Sequence, residues 1–174
     1  MALRIGMVLA NEPGTVHDVL GRLTRFGLGG AMAGGRQRVS WIHMDDFLAV
    51  IQWLEDQPLV DGAINVTAPG GVTNAEWMRA FREVKAMPVG LPSAKWMLEV
   101  GARAMGTETE LVTKSRWVEP GRLKELGFRW KCPDIRLALV DLEGRRGLDS
   151  FFTAPTQRAV GARAWTSEGR VRAT

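Results

Sequence analysis

The chain has no tyrosine among its 174 residues, so no proton relay built on a phenol is available to it. It has one cysteine, Cys132, which excludes an internal disulfide and gives no sign of an oxidising compartment. It has two histidines, His17 and His43, in different segments and without ligand spacing relative to Cys132, so no metal site is read. No apolar run approaches the roughly 18 residues that a membrane span requires. The opening "LRIGMVLA" is followed by Asn11, Glu12 and Pro13 with no small-residue cleavage site, so no signal peptide is read and the cytoplasm is the default location.

What remains is an ordinary globular composition, 45% apolar and 24% charged, long enough for a domain with a real core. The isoelectric point near 9.8 suggests nucleic acid until the charges are located. Residues 145–174 carry six arginines against two acids, which is the whole net charge of +4, so residues 1–144 are balanced. The basicity belongs to a terminal segment, which argues against a nucleic-acid-binding body. That segment is rich in Arg, Ala, Gly, Ser and Thr and is expected to be a disordered tail after a folded unit over 1–144.

Strand and helix signals alternate along the folded unit. "LRIGMVLA" reads as a strand buried on both faces, although nothing earlier in the chain could cover it. A helix follows over 15–26, then the glycine-dense "GLGGAMAGG". "RVSWIHM" alternates like a strand, and Phe47, Val50, Ile51 and Leu54 make one apolar helical stripe behind it. Asp45 or Asp46 stands where an N-cap is expected. "GAINVTAP" is a further strand, and Thr73 with Glu76 forms a capping box before the next helix. Helices are also expected from Pro92-Ser93 to about Met105, between Pro120 and Gly127, and from Asp134 through Leu142. Such alternation means an α/β fold with parallel pairing.

Several constellations could carry chemistry. The glycine loop could offer backbone N–H groups to a phosphate, but Met32 breaks G-x-G-x-x-G and Gly35-Arg36 breaks a P-loop. The loop also precedes a strand instead of following one, so it reads as a flexible connection. Cys132, in a Trp-Lys-Cys-Pro turn, reads as a packed or exposed thiol. The paired aspartates read as helix caps before they read as an acid–base couple, because adjacent residues point in different directions. His43 reads as a half-buried histidine on the face of Val39 and Trp41. Arg36 and Arg38 read equally as solvated charges or as a fork for an anionic substrate.

Taken together, "LRIGMVLA", "GLGGAMAGGRQRVSWIHMDD", "GAINVTAPGGVTNAEWMRAF" and "GRLKELGFRWKCPDIRLALVDL" resemble, in order and spacing, the carboxyl-terminal part of the NAD(P)-dependent epimerase/dehydratase family. These are the extended short-chain dehydrogenases/reductases, and the likeness is to an epimerase-like subgroup ending in a domain of unknown function. The resemblance covers about residues 3–143, and the stretch most specific to it is the glycine loop with "GRQ" and "WIHMDD". It implies a late strand of a Rossmann-like sheet followed by a small substrate lobe. It places Leu9, Ala10 and Asn11 beside the cofactor and Arg36, Gln37, Trp41 and His43 toward a small-molecule, anionic substrate. Residues 11–26 depart from the pattern, being longer and more charged. The family's glycine-rich cofactor turn and its Tyr-x-x-x-Lys are absent from the chain, so no catalytic residue is assigned and no cofactor is expected to bind the chain alone. Two readings follow: the substrate-binding portion of such an oxidoreductase, working with NAD(P) on a separately encoded cofactor-binding half, or a stand-alone, non-catalytic binding module derived from one. Neither implies a membrane or nucleic-acid partner.

Overall fold

The computed structural model describes residues 1–32, 34–91 and 117–152 of the chain. The helix expected from Pro92-Ser93 and residues 153–174 lie outside them. The described elements run β1 (Ala2–Ile5), β2 (Met7–Leu9), α1 (Val16–Arg25), β3 (Arg38–Val39), β4 (Trp41–His43) and α2 (Met44–Glu55). They continue with β5 (Ala63–Val66), β6 (Val72–Thr73), α3 (Asn74–Val84), α4 (Gly121–Glu125) and α5 (Ile135–Phe152). The fold is α/β, with parallel pairs β1–β5 and β2–β4 and a short antiparallel pair β3–β6.

The expected single opening strand is two strands that change partner at Gly6. The Gly6 N–H donates to the Val66 carbonyl at 3.0 Å and the Met7 N–H to the Ser40 carbonyl at 2.8 Å. A Cβ at Gly6 would meet Thr67 Cγ2 at 2.8 Å and the Ser40 carbonyl oxygen at 2.9 Å, so only glycine fits the crossing. β1 is also less covered than its apolar content suggests. Ile5 at its end is 50% exposed, whereas Leu9 at the end of β2 is fully buried. An apolar run states what a strand can bury, not which faces have something packed on them.

The alternation in β4 sorts its side chains between two cores. Trp41 joins Leu9, Leu20, Trp77, Phe81 and Leu139 on the side covered by α1, α3 and α5. Ile42 joins Val50, Leu54, Ile64, Val66, Leu123 and Phe128 on the other. Local capping follows the sequence: the Thr15 side chain accepts the Asp18 N–H to start α1, and Thr73 and Glu76 form the reciprocal capping box of α3. The last described helix passes residue 144, the expected end of the folded unit. α5 continues through Gly144 and Arg145 to Phe152.

Candidate functional site

The register of β2 on β4 sets Leu9 opposite His43. Both strands end there, and the chain leaves β2 through Ala10-Asn11-Glu12 while β4 turns directly into α2. Ligands of open α/β sheets bind at such a place, outside the carboxyl ends of parallel strands. A cleft of about 310 Å³ lies there, lined by Ala10, Asn11, Glu12, His43, Met44, Leu142 and Arg145. Its volume is at the small end of the range for small-molecule sites.

The helix cap beside the cleft is neither aspartate. His43 is the N-cap of α2, and its Nδ1 accepts the Asp45 N–H at 3.1 Å. In the neutral ring the proton therefore sits on Nε2, which lies 3.3 Å from Asp141 Oδ2. Burial is the main reason that the imidazole is held below its ordinary value of 6.5, against the opposing pull of Asp45 and Asp141 and with help from Arg145. The two aspartates, released from capping, tie α2 to distant segments. Asp46 is buried, and its two oxygens accept the backbone N–H groups of Lys131 and Cys132 at 2.7 and 2.9 Å.

Asp45 meets the cations instead. It accepts from Lys131 Nζ at 3.1 Å, and it pairs with both terminal nitrogens of Arg145, Nη1 lying 3.1 Å from Oδ1. The Arg145 bond, opposed by partial burial and assisted by Lys131, holds the Asp45 carboxyl at about 2. Arg145 Nε also reaches Asp141 Oδ2 at 2.7 Å, one helical turn back. His43, Asp45 and Asp141 have ligand atoms within 4.8 Å of one another. Lys131 and Arg145 already neutralise those carboxylates, which makes the group an ion-pair network more than a metal cage.

Of the residues that the resemblance pointed to, the cleft gathers Ala10, Asn11 and His43, and Leu9 sets them in register from its buried place in β2. Trp41 is buried in the larger core. Gln37 donates from Nε2 to the Met32 carbonyl at 3.1 Å, inside the glycine loop. Arg36 is exposed after Gly34 and Gly35, both at positive φ. Neither Arg36, Gln37 nor Trp41 lines the cleft. Sequence reasoning missed Glu12, Met44, Asp141, Leu142 and Arg145, although the i,i+4 spacing of Asp141 and Arg145 was a legible signal.

Three N–H donors of the glycine loop are spent within the fold. The N–H groups of Gly30, Met32 and Gly35 donate to the Leu91 carbonyl, Asn74 Oδ1 and the Met32 carbonyl, at 3.1, 2.7 and 2.8 Å. A phosphate cradle needs such donors unspent.

Residues 94–142 match a family model described as a domain of unknown function (DUF1731). An epimerase family protein of Staphylococcus aureus (strain N315) is 30% identical over 141 residues, covering 80% of this chain and 45% of the relative. The Arabidopsis thaliana chloroplastic homologue of epimerase family protein SDR39U1 is 33% identical, covering 79% of this chain and 38% of the relative. The chain thus spans about half the length, or less, of the curated relatives that it matches. Among solved structures, human epimerase family protein SDR39U1 with NADPH superposes with a TM-score of 0.70 at 24% identity, over 82% of this chain and 47% of that one. The Bordetella bronchiseptica enzyme WbmG, solved with NAD and UDP, gives 0.58 at 16% identity, over 83% and 42%. The chain is thus similar in sequence to part of the epimerase family proteins, and it shares its fold with the matched part of the human and Bordetella bronchiseptica structures.

Proposed function

We propose that the chain is the substrate-binding portion of a NAD(P)-dependent epimerase/dehydratase-like oxidoreductase, and that turnover requires a cofactor-binding half that it does not itself provide. One observation carries this reading: the cleft at the carboxyl ends of β2 and β4 gathers Ala10, Asn11 and His43 with the guanidinium of Arg145. In the proposal, Asn11 offers hydrogen bonds to a small-molecule substrate, His43 orders the wall of the cleft behind it, and Ala10 is the side nearest the nicotinamide. Arg36 and Gln37 act from the glycine loop at the edge of the lobe, and Trp41 holds β4 in place by packing.

The three spent N–H groups of the glycine loop and the lack of tyrosine support the second clause. The experiment is calorimetric titration of the purified chain with NADPH and with NADH. The expected result is no saturable binding, and no oxidoreductase turnover in the same preparation. Stoichiometric dinucleotide binding by this chain alone would contradict the proposal.

A further inference from the structure

Two cations, Arg145 and Lys131, meet two carboxylates, Asp45 and Asp141, beside the cleft. Arg145 contacts both Asp45 and Asp141, while the Nε2 edge of His43 faces Asp141. The charged and titratable groups around the His43 ring come from every element packed on it. They are Asp45 and Asp46 of α2, Glu12 of the loop after β2, and Asp141 and Arg145 of α5, with Lys131 and Cys132 of the loop after α4 bound to Asp45 and Asp46.

With His43 neutral, Arg145 and Lys131 together balance the two carboxylates, and the Arg145 guanidinium is turned inward although its side chain is 41% exposed. A proton on His43 changes both contacts of the ring. Nε2 then presents a full cation to Asp141, in competition with Arg145 Nε. Nδ1 becomes a donor facing the Asp45 N–H, itself a donor, so the cap that orders the first turn of α2 is lost. Asp45, the other anchor of Arg145, sits in that turn.

We propose that His43 and Arg145 compete for Asp45 and Asp141, so that a proton taken up by His43 releases the Arg145 guanidinium into the cleft as a site for an oxyanion, a carboxylate or phosphate group of the ligand. The inference rests on the cleft being the ligand site proposed above. Linkage makes the coupling reciprocal: an oxyanion that draws Arg145 away from the carboxylates makes His43 easier to protonate. A planar guanidinium suits the role because it grips a carboxylate or phosphate through two parallel hydrogen bonds, whether the partner is Asp45 or a ligand.

The test is the imidazole titration of the full chain by nuclear magnetic resonance, with sulfate as the probe because it stays fully ionised across the range. The chain has two histidines, so His43→Asn identifies the His43 signals by their loss. Arg145→Gln is expected to raise the His43 midpoint by about half a pH unit or more, and Asp141→Asn to lower it. Opposite directions are the signature of competition, since a variant that merely loosened the fold would bring both midpoints up toward that of a free imidazole. Sulfate is expected to raise the midpoint in the unaltered chain and to leave it in place in Arg145→Gln. An unchanged or lowered midpoint in Arg145→Gln would overturn the proposal, and so would the absence of any sulfate effect in the unaltered chain. If the linkage holds but the chain binds saturable NADPH alone, the functional reading fails and this inference stands.

Discussion

Asp45 and Asp46 are adjacent and chemically identical, yet their surroundings divide them into an exposed ion-pair partner and a buried anchor. Asp46 accepts two backbone N–H groups from the loop after α4. Hydrogen bonds to a charged group contribute about 1.5–3 kcal/mol, and removing this one leaves two donors without their acceptor. Asp46→Ala is therefore expected to destabilise the chain by about 2–3 kcal/mol in urea denaturation. Asp45 is one-third exposed, and its pairs with Lys131 and Arg145 are screened by solvent. Asp45→Ala is expected to cost about 1 kcal/mol or less. Equal losses in the two variants would mean that the division of roles is wrong. The sequence shows two aspartates at a helix start, and capping is the common use of that position. What it cannot show is that the imidazole of His43 takes the cap, because Asp46 is drawn to backbone groups 85 and 86 positions further on.

At the scale of elements, α5 is the part that holds the others together. Glu143 projects from it toward a buried cluster, with Oε1 3.0 Å from His17 Nε2 of α1 and Oε2 2.6 Å from Lys85 Nζ at the end of α3. Burial pushes the Glu143 carboxyl up, but the hydrogen bonds from His17 and Lys85 outweigh it and hold the group at about 2. A carboxyl depressed from 4.5 to about 2 contributes stability that is complete above pH 4.5 and is lost as the pH falls through 2; Asp45, depressed from 3.8, acts in the same sense. His43 adds to this at higher pH. Its value is lowered from 6.5, so its contribution is complete above 6.5 and declines as the pH falls below that. The chain is thus expected to lose stability in two acid steps. Glu143→Gln, which leaves the Lys85 ammonium buried without a counter-charge, should remove most of the lower step and cost on the order of 3 kcal/mol at neutral pH. Thermal melts of both proteins from pH 8 to pH 3 check this; parallel curves would contradict it.

Elements whose signals are local were the legible ones. Thr15 and the Thr73–Glu76 box fix their helix starts within a single turn, and the two-residue period of β4 separates Trp41 from Ile42 before any tertiary contact is known. Gly6 was not legible as a change of partner, because its requirement comes from Thr67 and Ser40 on two other segments. Arg145 was hidden for a different reason. Gly144 interrupts the apolar stripe of α5, so the residues after it resemble a tail in composition. Their helical state follows from a backbone that glycine weakens but does not break, and from the i,i+4 pairing of Arg145 with Asp141.

For the whole molecule, the proposed function centres ligand chemistry on the cleft where β2 and β4 end, with the glycine loop only at the edge of the lobe. The two places are distinct in the structure: Ala10, Asn11, His43 and Arg145 line the cleft, while Gly34, Gly35 and Arg36 lie in the loop before β3. The most direct measurement is an amide chemical-shift map of the isotope-labelled chain titrated with sulfate at pH 6 and pH 8. The account expects the largest shifts at Asn11, Glu12, Met44 and Arg145, stronger at pH 6, and abolished there by Arg145→Gln. Shifts centred on Gly34, Gly35 and Arg36 with the cleft undisturbed would contradict it.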